Sequence, residues 1–111
     1  MTLDELEAYI EERDTVHRDV KSGTLTERER ILLRTVKMME EMGELSEAVL
    51  SELGHQRVAK LEKHTQEALS DEVADVLITL FLLAKALKVD VGKAIEKKIQ
   101  KIATRTATYP F

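Results

Sequence analysis

Residues 70–87, SDEVADVLITLFLLAKAL, decide the fold class of this chain. Turned through about 100° per residue, a helix over this stretch is apolar almost all the way round, which predicts that it packs inside a helical protein. Glu72, Asp75 and Thr79 nevertheless fall on one narrow line along it. Because an ionised carboxylate in a core is costly unless a cation or strong donors meet it, this line predicts a partner for the two acids.

The composition favours an all-α protein. The 111 residues are 43% hydrophobic and 34% charged, with one proline, four glycines and 4% aromatic residues. Such a set of residues favours helix and offers few turn signals for a sheet. Cysteine is absent, which excludes disulfides, thiolate metal sites and cysteine nucleophiles. We expect a single domain over residues 1–111, near the size at which self-association contributes much of the stability.

The charge and hydropathy patterns limit which classes of partner the protein can have. No run approaches about 18 uninterrupted apolar residues, and the N-terminal stretch MTLDELEAYIEERD is acidic rather than signal-like. We therefore expect a cytoplasmic protein with neither a membrane nor a nucleic-acid partner. Residues 85–111 carry seven Lys and Arg against two Asp and Glu, whereas the rest of the chain is acidic. Two explanations fit this asymmetry: an unevenly charged solvated surface, or a site at which the acidic and basic parts of the chain meet.

Four helices are predicted, the first two beginning at the capping-box patterns Thr2/Glu5 and Thr26/Glu29. Their bounds are about 3–20, 27–53, 70–87 and 90–105, with an irregular tail over 106–111. Gly54 stands where a left-handed residue ends the second helix. The segment 55–69 is either a loop with a helical turn or a backward extension of the third helix to residue 56.

Both central helices carry a pair of carboxylates three residues apart. Glu41 and Glu44 lie one turn apart on the second helix, as Glu72 and Asp75 do on the third. If the two helices pack antiparallel, four acids come together, and like charges at that density need a counter-cation. A solvated acidic face explains the second helix equally well, and an exposed bundle edge is the alternative for the third.

The ligand types favour Mg²⁺, with Mn²⁺ as the second choice. All four candidates offer carboxylate oxygens, which are hard donors, whereas helical di-iron sites use Glu-x-x-His pairs. None of His17, His55 and His64 follows a candidate ligand by three residues, and we assign the histidines no role. Because Mg²⁺ usually shares its coordination sphere with substrate phosphates, an anionic phosphate ester is the expected substrate class.

The last predicted helix offers a basic element for such a substrate. Asp90 is its expected N-cap, and Val91, Ile95, Ile99 and Ile102 form its expected buried line. Three long cationic side chains flank that line and are candidate phosphate-binding residues: Lys98, Lys101 and Arg105. A solvated basic face near the end of a helix is the alternative.

Two stretches together carry a family resemblance. KMMEEMGELSEAV (37–49) and DEVADVLITLFLLA (71–84) resemble the signatures of the MazG-like all-α nucleotide pyrophosphohydrolases, Glu-Glu-x-x-Glu on one helix and Glu-x-x-Asp on the next. The resemblance spans residues 27–105. It implies a four-helix bundle that is completed by dimer or tetramer formation, as a homodimer or a dimer of dimers. It also implies Mg²⁺-dependent cleavage of a nucleoside triphosphate to the monophosphate and pyrophosphate.

Carried over residue by residue, the resemblance assigns roles to the acids. Glu41, Glu44, Glu72 and Asp75 would be the metal ligands. Glu40 would be an auxiliary ligand or the base for the attacking water, with a ligand carboxylate such as Glu41 as the alternative base. Lys98 and Lys101 resemble the basic pair on the family's last helix, whereas the segment 55–69 has no counterpart and leaves base specificity open.

Two other functions remain compatible with the sequence. One is a catalytically silent helical oligomer that binds a partner; the intact carboxylate set argues against it. The other is metal-dependent hydrolysis of a different phosphate, such as a nucleoside diphosphate derivative or a phosphoribosyl intermediate of histidine synthesis. Products formed from a panel of nucleotides with Mg²⁺ distinguish the three.

Overall fold

The computed structural model describes residues 1–21 and 25–106, and within these ranges the regular secondary structure is entirely helical. The all-α prediction is therefore confirmed. The helices are α1 (Leu3–Lys21), α2 (Glu27–Glu52), α3 (Val58–Lys63), α4 (Gln66–Ala86) and α5 (Val91–Thr106). One helix, α3, adds to the four that the sequence predicts. The expected tail begins one residue too early, because residue 106 is still helical, and its remainder lies outside the described residues.

Capping boxes begin the first two helices as the sequence predicts. At α2, the Thr26 hydroxyl accepts a hydrogen bond from the Glu29 backbone N–H at 3.1 Å, and the Glu29 carboxylate accepts from the Thr26 backbone N–H at 3.3 Å. At α1, the Glu5 backbone N–H donates to the Thr2 hydroxyl at 3.1 Å. These bonds satisfy backbone donors that the first turn of a helix leaves without partners.

The segment 55–69 shows parts of both alternatives that the sequence left open, because it contains a short helix between loops and because α4 extends backward into it. Gly54, with φ of 78°, ends α2 in the left-handed region. The short helix α3 follows, and α4 then begins at Gln66, where the Thr65 hydroxyl accepts from the Ala68 backbone N–H at 3.0 Å. The chain thus turns back towards α2 before α4 starts.

The helices α2 and α4 pack against each other over much of their length and run antiparallel. Near the start of α2, Arg34 Nη1 donates to the backbone oxygen of Leu82, late in α4, at 2.7 Å. Towards the end of α2, Ala48 shares a groove with Ala68 from the first turn of α4. This register places the middle of α2 opposite the acidic half of α4.

A small core joins α1 to this pair. Ile10 of α1 is only 2% exposed. An ion pair between Asp14 and Arg34 links α1 to α2, and another between Glu11 and Lys85 links α1 to α4. Among the residues whose side chains the structure describes, the buried apolar ones are Ile10, Ala48, Phe81, Ala84 and Ala86.

Much apolar surface stays uncovered in the single chain. The radius of gyration is 17.3 Å, whereas a compact domain of this length has about 13 Å. In the stretch 70–87, which is predicted to pack inside the protein, Val73, Leu77 and Leu80 remain at least 41% exposed in the single chain. Other large apolar side chains on α2 are also exposed: Leu32, Leu33, Val36, Met39, Met42, Val49 and Leu50.

Two of the four residues in the predicted buried line of the last helix are exposed in the single chain, whereas Val91 and Ile102 are half-buried. Ile95 is 50% exposed and Ile99 is 60% exposed. The cause is the course of α5, which makes no extensive packing contact with α2 or α4 within the described residues. Its N-cap is as predicted, since Asp90 Oδ1 accepts from the Lys93 backbone N–H at 3.0 Å. Within the same residues, every helix is too short or too polar to span a lipid bilayer.

Candidate metal centre

Three carboxylates meet where α2 and α4 face each other. Glu41 of α2 and both Glu72 and Asp75 of α4 each place one oxygen within 4.8 Å of the others. Glu72 and Asp75 share a face because they are three residues apart on one helix. The antiparallel register of α2 brings Glu41 opposite them. The structure thus groups three of the four metal ligands that the sequence predicts.

The burial of these acids is uneven and leaves acceptor oxygens without partners. Glu41 is 8% exposed and Glu72 is half-buried, whereas Asp75 is exposed. Within the described part of the chain, the Oε2 atoms of Glu41 and Glu72 are buried and accept no hydrogen bond. The other oxygen of Glu41 lies 3.6 Å from the Lys37 ammonium. A buried carboxylate oxygen that accepts nothing is costly, and a cation at this point would satisfy it.

The pKa of Glu41 also indicates that its negative charge is unfavourable at this position. Burial raises the pKa of this carboxyl above its usual value, and the negative charges of Glu44 and Asp75 raise it further. Lys37 opposes the shift in pKa with its positive charge. The surroundings of Glu41 therefore disfavour its ionised form, and an added positive charge among the three acids would favour it.

The donor set and its spacing fit a hard divalent cation. Mg²⁺ binds oxygens at about 2.1 Å, so two ligands on opposite sides of the ion lie about 4.2 Å apart. The grouped oxygens of the three acids lie at most 4.8 Å apart, which is close to that value. Since Asp75 is exposed, one side of the cluster is open to solvent.

Glu44 and Glu40 lie beside this cluster on α2. Glu44 is exposed and is not among the three grouped acids, although its charge acts on Glu41. Glu40 is exposed and accepts a hydrogen bond from the Lys37 ammonium at 3.2 Å. The roles of Glu44 as a ligand and of Glu40 as an auxiliary ligand or base remain predictions.

The basic residues of α5 are not brought to the carboxylates within one chain. Lys98, Lys101 and Arg105 are all exposed. Asp75 precedes the end of α4 by eleven residues, which corresponds to about 16 Å along the helix axis, and α5 begins only beyond that end. Because α5 does not pack extensively along α2 or α4, the phosphate-binding role of these three residues remains a prediction.

A groove between α2, α3 and α4 adds residues to which the sequence motifs assign no role. Its volume is about 270 Å³, and Glu44 and Glu72 lie in its wall. The same wall contains three basic side chains from the segment 55–69: Lys60, Lys63 and His64. A signal was present in the sequence, since these residues form a basic group between two acidic helices. Nothing in the sequence indicated that α3 would bring these residues back against α2.

Comparison with known proteins identifies the family. The MazG-like family model matches residues 33–108, which include the three clustered carboxylates. The chain belongs to the MazG-like family. The resemblance inferred from the two signatures is thereby confirmed, and the matched span of this MazG-like chain also includes α3 and its groove. No curated protein and no solved structure matches the chain significantly.

Proposed function

We propose that this MazG-like chain is a Mg²⁺-dependent nucleoside triphosphate pyrophosphohydrolase, which cleaves an NTP or dNTP to the monophosphate and pyrophosphate. Family membership supports the proposal, because the MazG-like family is generally a pyrophosphohydrolase family. The observation that carries it is Glu41, a buried acid with one oxygen that accepts no hydrogen bond from the described residues, grouped with Glu72 and Asp75.

The carboxylates of Glu41, Glu72 and Asp75 hold Mg²⁺ or Mn²⁺ in this proposal, and Glu44 completes the set from the next turn of α2. A cation held there would neutralise charge on the phosphate oxygens and polarise the phosphorus that is attacked. The cluster orients that phosphate, and its exposed side at Asp75 admits the substrate.

Glu40 serves as the base. It takes a proton from the attacking water while the water oxygen bonds to the α-phosphorus and the bond to the bridging oxygen breaks. Pyrophosphate leaves with the electron pair. Two features of Glu40 support this role: it adjoins Glu41 in the chain, and it is exposed, so that its proton can pass to bulk water.

We also propose that the chain functions as a homodimer or a dimer of dimers. The exposed apolar residues of α2, α4 and α5 support self-association, because monomeric proteins rarely leave apolar surface of this extent in water. The radius of gyration, larger than that of a compact domain, supports the same conclusion.

A panel of substrates with Mg²⁺ tests the reaction. The panel contains ribo- and deoxyribonucleoside triphosphates, nucleoside diphosphates and a phosphoribosyl ester, and the products are resolved as pyrophosphate, orthophosphate and monophosphate. We expect equal amounts of pyrophosphate and monophosphate from at least one triphosphate. Asp71→Asn, which removes a neighbouring exposed acid on α4, is the control and should keep the activity. A folded, Mg²⁺-loaded protein that releases no pyrophosphate from any triphosphate contradicts the proposal.

A further inference from the structure

The groove beside the carboxylates is lined by both acidic and basic side chains. Glu72 belongs both to the three-carboxylate cluster and to the groove wall, so the groove opens directly from the cluster. Lys60, Lys63 and His64 of the α3 segment line the same groove, together with Glu47. A ligand with one phosphate at the cluster therefore shares a groove with cationic side chains.

The basic residues of this groove differ in their present partners. Lys60 donates to Glu47 Oε1 at 2.7 Å. His64 Nε2 lies 2.7 Å from Glu52 Oε2, and its side chain is only 12% exposed, so it fastens the end of α3 to α2. Within the described residues Lys63 has no ion-pair partner, although it lies in the groove wall and is exposed.

We propose that Lys60 and Lys63 bind the pyrophosphate portion of the substrate in this groove while the attacked phosphate lies at Glu41, Glu72 and Asp75. The inference rests on the proposed function and adds a phosphate-binding element from α3, in the same chain as the carboxylates. The groove volume of about 270 Å³ lies just below the range of ligand pockets, which begins at about 300 Å³, and this suits a phosphate chain rather than a whole nucleotide.

A purely structural role for Lys60 makes a different prediction. If Lys60 only ties α3 to α2, removing either partner of its ion pair with Glu47 should have the same effect. If Lys60 binds phosphate, the two removals act in opposite directions, because Glu47 competes with phosphate for the same ammonium and repels the ligand. Lys63 provides a second test, since its removal breaks no ion pair within the described residues.

The experiment measures the binding of magnesium pyrophosphate by calorimetry, together with thermal unfolding and kcat/KM for a triphosphate. The variants are Lys60→Ala, Lys63→Ala and Glu47→Gln, with Lys97→Ala on α5 as a charge-matched control. We expect each groove lysine variant to weaken pyrophosphate binding about tenfold to a hundredfold. Glu47→Gln should tighten it, and Lys97→Ala should leave it unchanged.

Three outcomes separate the inference from the proposed function. If the wild type releases pyrophosphate but none of the groove variants alters pyrophosphate binding, the inference is overturned and the function stands. The inference is likewise overturned if Lys60→Ala and Glu47→Gln lower the melting temperature equally and Lys63→Ala changes neither stability nor pyrophosphate binding. If the wild type hydrolyses no triphosphate yet binds magnesium pyrophosphate through Lys60 and Lys63, the function fails and the groove assignment stands.

Discussion

The carboxylate of Glu41 on α2 lies within 4.8 Å of the carboxylate of Asp75 on α4, across the interface of the two antiparallel helices. Glu41 is buried and Asp75 is exposed. The surroundings of Glu41 disfavour its negative charge, whereas solvent reaches Asp75. A cation that enters from the solvent side therefore meets both, and it would offset the conflict that burial creates at Glu41.

Mg²⁺ or Mn²⁺ should raise the melting temperature, because a cation that binds only the folded cluster stabilises it by mass action. At about 100 times the dissociation constant the gain is about 2.7 kcal/mol, which corresponds to a shift on the order of 10 °C for a domain of this size. Thermal unfolding with and without the metal measures it. Glu41→Gln should abolish the metal-induced shift, while the control Asp71→Asn should keep it. An unchanged melt of the wild type at millimolar Mg²⁺ would count against the site.

Asp75→Ala should abolish turnover without unfolding the metal-free protein. Asp75 is exposed, so its removal leaves little cavity, and it relieves repulsion on Glu41. Circular dichroism and a kinetic assay on the same preparation separate folding from activity. Normal turnover by this variant would show that Asp75 is not a ligand.

The sequence predicts local structure well where a local interaction determines it. Both capping boxes, the left-handed Gly54 and the N-cap at Asp90 follow from backbone donors and acceptors that nearby side chains satisfy. The short helix α3 could not be predicted in this way, because six residues are too few to form a helix by propensity alone. Its position depends on tertiary ion pairs, such as Lys60 with Glu47.

Periodicity predicts which residues share a face but not what covers that face. Ile95 and Ile99 do lie on one side of α5, yet nothing in their spacing indicates whether the same chain buries them. The site shows the same limit. Glu41 and Glu44 are one turn apart but differ by about 60° around α2. Only the packing of α2 on α4 decides that Glu41 turns inward while Glu44 stays exposed.

Arg34→Ala should destabilise the fold by about 3 kcal/mol, because it removes the guanidinium that pairs with the buried carboxylate of Asp14. The Arg34 side chain is 16% exposed and the Asp14 side chain 7%, and Arg34 also donates to the backbone oxygen of Leu82. Denaturant unfolding measures the loss. Arg28→Ala, at an exposed position on the first turn of α2, is the control. The double variant Asp14→Ala/Arg34→Ala should cost less than the sum of the two single changes; simple additivity would mean that the pair is not coupled.

Light scattering should give a mass of at least twice the 12.6 kDa of one chain. Leu77, which is 48% exposed on α4, is the most direct probe, because a charge there should weaken an apolar interface between copies. Leu77→Glu should shift the mass towards that of the monomer at micromolar concentration. Gln66→Glu adds a charge at an exposed position on the same helix and should leave the mass unchanged. A wild-type protein that stays monomeric would refute self-association.

The basic residues of α5 should act on the carboxylate site of a second copy. Within one chain, Lys98 and Lys101 are exposed on a helix that does not pack extensively on α2 or α4. The double variant Lys98→Ala/Lys101→Ala should lower kcat/KM for a triphosphate about tenfold or more, with Mg²⁺ affinity unchanged. Co-expression with Asp75→Ala should then restore activity to about a quarter of the wild type, because half of randomly formed dimers are mixed and each holds one intact site. If the double variant loses activity and co-expression does not restore it, these lysines act at the site of their own chain. If the double variant keeps its kcat/KM, they form a solvated face without a role in catalysis.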